Sequence, residues 1–570
     1  MANLNQNEAS NVLFSECGEK SIPEFLKELS NQALIQSFYK MKNNPEETQW
    51  AVLQDILKHA DKSEFGQKMG FSEIKTVADF QNMVPISQYG DYASGIEDLQ
   101  RGQADVLYNG KTPGFIATSG STGIPKLIPE SKNGELIKAM VSQLRTILLL
   151  TLAPEVLEPG KKILAIANPA EYGKTEGGIP IGSASGQAAK DIPPEMQRKM
   201  VLPIELITAK DLSNEATDYL TILFSLKEKQ LAGVVCSNIA HFNILLNKMN
   251  AFKEDLITDI RNGQISSEIL ISEGLRESLK HKLNPDPQRA RELEDVLSEQ
   301  GHLDIASIWP DFSVVSCWMS ASAERIVNDI RMRLPAQVKF LEWGYGASEG
   351  KFNIPTKPDD PAGFLSLFGY FFEFLAVGEE KPLQVHELKA GGYYELIITS
   401  YSGLYRYNMK DIVYVSEIEA HSPRIVFISK ASEEIKLDDF NIMTYEMDTY
   451  IKQTSAQHNE DIRFFQIITD QTHKKLVLII EPLTNSTISG IFRTSLENLL
   501  ISENKAYKEN RFQNVMKPLE IIVAKQGYRD SLFTRSIMTG KNVNQTKLKI
   551  MVDDYPEEEN IINWIKEDNR

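Results

Sequence analysis

Short, continuous apolar runs recur through the middle of this chain with amphipathic stretches between them, and that alternation restricts the fold more than any other feature. Ile163-Leu-Ala-Ile-Ala167, Val234-Val-Cys236, Val314-Val-Ser-Cys317 and Glu395-Leu-Ile-Ile398 are β-rich, while segments such as 212–228 have helical periodicity. A strand without polar alternation must be covered on both faces, and amphipathic helices provide the cover. The span 161–400 therefore reads as an α/β body. Ahead of it, Phe25, Leu26, Leu29, Leu34 and Phe38 fall at spacings close to three or four, with Pro23 early in the run. That pattern predicts helix over 22–42, and 50–57 repeats it.

The texture changes after Asp411. Ile412-Val-Tyr-Val415 and Arg424-Ile-Val-Phe-Ile428 read as strands, and the polar stretch 416–423 between them suits a linker. Beyond it, 463–468, 475–480 and 519–523 are strand-like and 491–500 is helical, the order of a small α+β domain. The expected architecture is a large N-terminal α/β domain over 1–415, a hinge at 416–423 and a small, mobile C-terminal α+β domain over 424–570.

Charge and cysteine usage remove several functional classes. The chain holds 61 Lys and Arg against 78 Asp and Glu, a formal net charge of -17. Nucleic-acid affinity rests largely on cations, so no nucleic-acid partner is expected. Cys17, Cys236 and Cys317 are far apart and odd in number, which points to a reducing compartment. The first 21 residues lack an apolar signal-peptide core, and the greasiest run, 147–153, is far shorter than the roughly twenty residues of a membrane span. A cytoplasmic protein without a membrane partner is expected. Its eight histidines form no pair at metal-ligand spacing. Cys236 follows a β run and reads as a buried thiol, and Ser119 lacks the Gly-x-Ser-x-Gly frame of an elbow nucleophile.

Three stretches carry chemistry. In Ala117-Thr-Ser-Gly-Ser-Thr-Gly-Ile-Pro-Lys126, glycines let backbone amides approach an anion, hydroxyls add donors and the lysine adds charge, although the pattern is not a Walker A loop. Glu342-Trp-Gly-Tyr-Gly-Ala-Ser-Glu349-Gly350 joins aromatics to a carboxylate that would suit Mg²⁺ beside a phosphate, or would simply be a solvated strand end. In Gly403-Leu-Tyr-Arg-Tyr-Asn-Met-Lys-Asp411 the aspartate suits a ribose diol, and Arg406 faces phosphate or pairs with an acid.

In this order the three stretches resemble the adenylate-forming ligases, and more closely the acyl acid amido synthetases of the auxin-responsive Gretchen Hagen family. Lys126-Leu-Ile-Pro129 is similar to that family's Lys-x-Ile-Pro, and Tyr345-Gly-Ala-Ser-Glu349 to its Tyr-x-Ala-Ser-Glu. Gly403 through Asp411 is similar to its Gly-Leu-Tyr-Arg-Tyr-Arg-Val-Gly-Asp, with Asn408, Met409 and Lys410 as departures. Lys174-Thr-Glu-Gly-Gly178 resembles the glycine-rich loop near its acyl pocket, and Asn544-Gln-Thr-Lys547 its Asn-Gln-Tyr-Lys. The loop 118–126 is one position shorter than the plant form.

The resemblance implies an ATP-dependent ligase that adenylates a carboxylic acid and passes the acyl group to an amine, usually an amino acid. It assigns Thr118, Ser119, Gly120, Ser121 and Thr122 to the ATP phosphates with Lys126 beside them, and Glu349 to Mg²⁺. Tyr345 is assigned to adenine, with Ser348 and Arg406 also on the nucleotide, and Asp411 to ribose. Gly177 and Gly178 go to the acyl substrate, and Lys547 to the reacting phosphate, with Lys541 as its rival. Two alternatives share these residues: a thioester ligase using coenzyme A or a carrier, and an inactive relative that binds acyl group or nucleotide.

Overall fold

The computed structural model describes residues 14, 17–118, 126–166, 171–182, 198–209, 212–484, 487–538 and 548–552. The chain divides into two compact units, Met1–Ser320 with Arg331–Phe427, and Ala321–Ile330 with Ile428–Arg570.

Among the described residues, the first unit contains three sheets. One is parallel, with Lys162–Ile166, Leu231–Cys236, Val314–Cys317 and Lys339–Glu342 paired in that order. Val234, Cys236, Val315 and Phe340 are buried, as strands covered on both faces require. The helix Asn214–Lys227 follows the predicted 212–228, capped by the Ser213 side chain on Ala216 N–H. The expectation of one body over 161–400 needs correction at its end. Glu395 to Ile398 belongs to a different, antiparallel sheet of seven strands.

That seven-stranded sheet is ordered Pro382–Gln384, Tyr370–Ala376, Tyr393–Ser400, Tyr407–Glu419, Ser422–Lys430, Gly363–Leu365 and Asn353–Pro355. Phe372, Phe374, Leu396, Ile398, Val413 and Ile425 bury its core. The N-terminal helices pack against the same core. Gln49, from the helix Pro45–Lys58, donates to Leu367 and Tyr370 carbonyls at 2.8 Å and accepts from Phe372 N–H at 2.7 Å. The predicted helix over 22–42 is two helices, Ile22–Lys27 and Asn31–Asn43, because Ser30 starts the second as its N-cap.

The expected hinge at 416–423 is instead a β-hairpin of this sheet, and the division between units falls at 427/428. Polar residues there form ion pairs within the unit: Lys42 with Glu419 at 2.7 Å, Lys357 with Glu417 at 2.7 Å, and Arg424 with Asp360 at 2.9 Å. Polarity marked a fastened turn between two interior strands of the sheet.

The third sheet, ordered Leu127–Glu130, Gly114–Ala117, Pro180–Gly182 and Glu171–Lys174, carries the candidate phosphate loop. The second unit is α+β. Its sheet runs Glu520–Val523, Lys475–Pro482, Ile462–Asp470 and Met551–Val552, with an antiparallel central pair and parallel flanks. Residues 321–330, from the connection between two strands of the parallel sheet, count with this unit. Asp329 there accepts from Arg463 at 2.9 Å and Arg529 at 2.8 Å.

Candidate active site

Strands Gly114–Ala117 and Leu127–Glu130 pair antiparallel from Gly114 with Glu130 to Ala117 with Leu127. Just beyond, two hydrogen bonds close the neck of the loop. Thr118 N–H donates to Lys126 O at 2.9 Å, and Lys126 N–H donates to Thr118 Oγ1 at 3.1 Å. Ser119, Gly120, Ser121 and Thr122 lie outside the described residues. The exposed Lys126 ammonium sits 5.2 Å from the centroid of the Tyr89 ring.

One face of a helix holds the acidic turn against this neck. Lys132–Leu152 is capped by Ser131, and Lys138, Ser142 and Arg145 recur on it at the spacing of a single face. Lys138 donates to Ser348 O at 2.7 Å and pairs with Glu130, while Lys351 donates to Ser142 Oγ. Arg145 donates to Tyr345 O at 2.9 Å and to Asn353 O at 2.6 Å. Gly344 lies at φ +94, and a Cβ there would come within 2.5 Å of that guanidinium, so both backbone and space demand glycine. Ser348 Oγ donates to Ala117 O at 3.4 Å, which sets Glu349 one residue from the loop's entry strand.

The two carboxylates of the turn have different surroundings. Burial pushes the Glu342 carboxyl up to about 7, against backbone N–H bonds from Met319 and Gly344 and the Arg145 charge. Glu349, also largely buried, receives the Tyr407 hydroxyl at 3.5 Å. Tyr345 donates its hydroxyl to Asp411, and its ring stacks on Phe427 at 5.1 Å and packs against Phe352. Burial, then the Asp411 charge, raises the Tyr345 phenol well above its ordinary pKa, so it stays a donor. Residues of the second and third motifs thus meet directly.

The profile of the GH3 family N-terminal domain matches residues 34–337, that of its central domain 364–430 and that of its C-terminal domain 445–556. The chain belongs to the GH3 family. Jasmonoyl--L-amino acid synthetase JAR4 of Nicotiana attenuata is 24% identical over 432 residues, 72% of this chain and 74% of that one. Indole-3-acetic acid-amido synthetase GH3.6 of Arabidopsis thaliana is 23% identical over 589 residues, 95% of this chain and 93% of that one. Among solved structures, the GH3.15 acyl acid amido synthetase matches with a TM-score of 0.80 at 20% identity, covering 94% of this chain and 97% of that one. A 2-hydroxyisobutyryl-CoA ligase matches with a TM-score of 0.52 at 12% identity, covering 90% and 89%. These likenesses establish the fold, which the acyl acid amido synthetase shares over nearly its whole length.

Within this GH3 chain the expected site residues separate. Thr118, Lys126, Ser348, Glu349, Tyr345 and Asp411 are linked by the contacts above. Arg406 requires correction as a nucleotide contact. Its guanidinium forms a bidentate pair with the fully buried Glu373 at 2.9 and 3.0 Å, and donates to Gln81 O at 2.8 Å and Val84 O at 2.7 Å. Gly177 packs on backbone, where a Cβ would meet Gln100 O at 2.6 Å, and Gly178 turns the chain at φ +78. Their hairpin adjoins the loop strand through the pairing of Gly182 with Ile116. Asn408 and Lys410 both bond Glu395, at 2.8 and 3.0 Å, so two of the three departures from the family segment support the sheet. Lys541 and Lys547 lie outside the described residues. Sequence reasoning missed Tyr89, Tyr407, Lys138 and Arg145. For Arg145 a signal existed: an arginine two residues ahead of the greasiest run of the chain needs buried acceptors.

Proposed function

We propose that this GH3 protein is an ATP-dependent acid-amido synthetase. It adenylates a carboxylic acid, releasing pyrophosphate, and transfers the acyl group to an amine, an amino acid by preference. The observation that carries this reading is the junction of three motifs within one unit. Ser348 reaches the strand leading into the hydroxyl loop, and Tyr345 reaches Asp411. The family's named members that conjugate acids to amino acids support the amide product.

A carboxylate is a poor acyl donor because oxide would have to leave, and attaching AMP makes it a mixed anhydride. Its attack on the α-phosphate gathers negative charge on phosphate oxygens. The Thr118 end of the loop, with the hydroxyls of Ser119, Ser121 and Thr122 and the Lys126 ammonium, would stabilise that charge. Tyr345 and Asp411 would hold the nucleoside end. Lys547 is assigned, by its motif, to the phosphate at the reacting centre.

Among the described residues no three His, Cys, Asp or Glu side chains gather as a metal cage. Mg²⁺ fits here in another way, on Glu349 together with phosphate oxygens, the mixed shell this ion favours. When bound it would neutralise phosphate charge. No helix among the described residues is long and apolar enough to cross a membrane, and the proposed setting is the cytoplasm.

The test is ATP–pyrophosphate exchange with a carboxylate panel, followed by AMP release with amino acids against coenzyme A and mass measurement of the product. Acid-dependent exchange with an amide product is expected. A thioester without an amide would assign the chain to thioester ligation. Absent exchange with every acid would leave a binding protein.

A further inference from the structure

Tyr89 belongs to none of the three motifs, yet it touches or faces all of them. The chain two residues ahead of it is anchored to the third: Ser87 N–H donates to Arg406 O at 2.9 Å, and Asn408 N–H donates to Ser87 O at 2.9 Å. A one-turn 3₁₀ helix, Tyr89–Tyr92, then begins, fastened by Gln88 N–H donating to the Asp91 carboxylate at 2.7 Å.

From that fixed base the side chain reaches the exit of the hydroxyl loop. Leu127–Glu130 is an edge strand, so the outward N–H and C=O of Leu127 have no ladder partner. The Tyr89 hydroxyl meets both, accepting from Leu127 N–H at 3.1 Å and donating to Leu127 O at 3.2 Å. One phenol oxygen is donor and acceptor at once, which neither Phe nor Trp can supply. The face of the same ring lies under the Lys126 ammonium at 5.2 Å. Burial raises the phenol's pKa, the bond to Leu127 opposes that rise, and the Glu349 charge from the second motif adds to it, so the hydroxyl remains protonated at neutral pH.

We propose that Tyr89 is the positioning residue for Lys126: its hydroxyl fixes the backbone at the loop exit while its ring holds the ammonium in the attitude that meets the nucleotide phosphates. This rests on the nucleotide reading of the loop given above. The physical need is clear. A lysine is a point charge on a flexible four-carbon stem, and at an exposed neck it would sample many rotamers. A ring beneath the ammonium, tied to the adjoining peptide, narrows that choice before the ligand arrives, which is where affinity is gained.

The test uses the full-length protein with Mg²⁺ and ATP titration by calorimetry on Tyr89→Phe, Tyr89→Leu, Lys126→Ala and the Lys126→Ala, Tyr89→Leu pair. Lys126→Ala is expected to weaken ATP binding about tenfold. Tyr89→Leu should weaken it about fivefold and Tyr89→Phe, which keeps the ring, about twofold. The pair should bind ATP no worse than Lys126→Ala alone, because a positioning residue has nothing to act on once the lysine is gone. Additive losses in the pair, or unchanged affinity in both Tyr89 variants, overturn the proposal while the nucleotide reading stands. Unchanged affinity in Lys126→Ala overturns the reading of Lys126 and the proposal with it. Should Tyr89→Leu not fold, Tyr89→Phe in both backgrounds tests the hydroxyl's share: its loss of about twofold should vanish in the Lys126→Ala background, and a loss that persists there overturns the proposal.

Discussion

The segments 403–411 and 117–127 each place a cation among aromatic, small or hydroxyl residues, and the fold treats the two cations in opposite ways. Arg406 is buried, with its guanidinium bound to Glu373 and two backbone carbonyls. Lys126 is exposed, with a ring below its ammonium. The turn between them repeats the contrast in carboxylates. Glu342 accepts backbone N–H groups in the interior, and Glu349 sits beside a hydroxyl at the meeting point of the motifs. A motif is therefore not a uniform set of ligand-binding residues. Those whose polar atoms are already satisfied by buried protein groups hold the others in place.

The largest expected effect tests the buried cation. Arg406→Ala leaves the Glu373 carboxylate, fully buried, without its partner, and should cost about 3–5 kcal/mol in denaturant unfolding. ATP affinity of the folded fraction should barely change. A stable Arg406→Ala protein with weakened ATP binding would reverse the comparison.

Next is the buried carboxylate. The Glu342 value in the fold, about 7, is raised above the ordinary 4.5, so its contribution to stability is full below about 4.5 and is lost as pH climbs through about 7. The loss amounts to about 3 kcal/mol over that window. Glu342→Gln cannot charge, so the stability difference between variant and parent should shift in the variant's favour between pH 5 and pH 8. A difference that stays flat with pH would show that the backbone N–H groups keep the carboxylate charged throughout.

The other side of the comparison, the groups assigned to the nucleotide, is read in activity. Glu349→Ala should lower Mg²⁺-dependent pyrophosphate exchange about a hundredfold with unfolding midpoints close to the parent's. Unchanged exchange would remove Glu349 from the metal role. The smallest effect expected is for Lys547→Ala, which should lower turnover about tenfold while ATP affinity holds. Equal turnover in that variant would move the role to Lys541 or to neither lysine.

Much of the fold was legible because it follows from local pattern. The strands around Val234 and Val314 were readable as continuous apolar runs, and the helix after Ser213 as amphipathic periodicity behind a cap. The stretch 416–423 was misread for a physical reason. A polar segment between strands looks the same in sequence whether it hangs in water as a linker or is fastened by ion pairs to residues as distant as Lys42 and Lys357. Arg406 illustrates the same limit. Its partners Gln81, Val84 and Glu373 lie far away along the chain, and no spacing rule links them.

From the sequence alone came the two kinds of body, the three chemical motifs and the family to which they point, since apolar periodicity, turn chemistry and short motifs are all properties of neighbouring residues. Tertiary structure alone decided which residues the motif residues face. Tyr345 meets Asp411, Ser348 meets the strand into the loop, and Tyr89 meets Lys126. Each of these pairs is separated by tens to hundreds of residues in the chain, and only the packing of strands and helices around a shared core brings such groups within hydrogen-bonding or ring-contact distance.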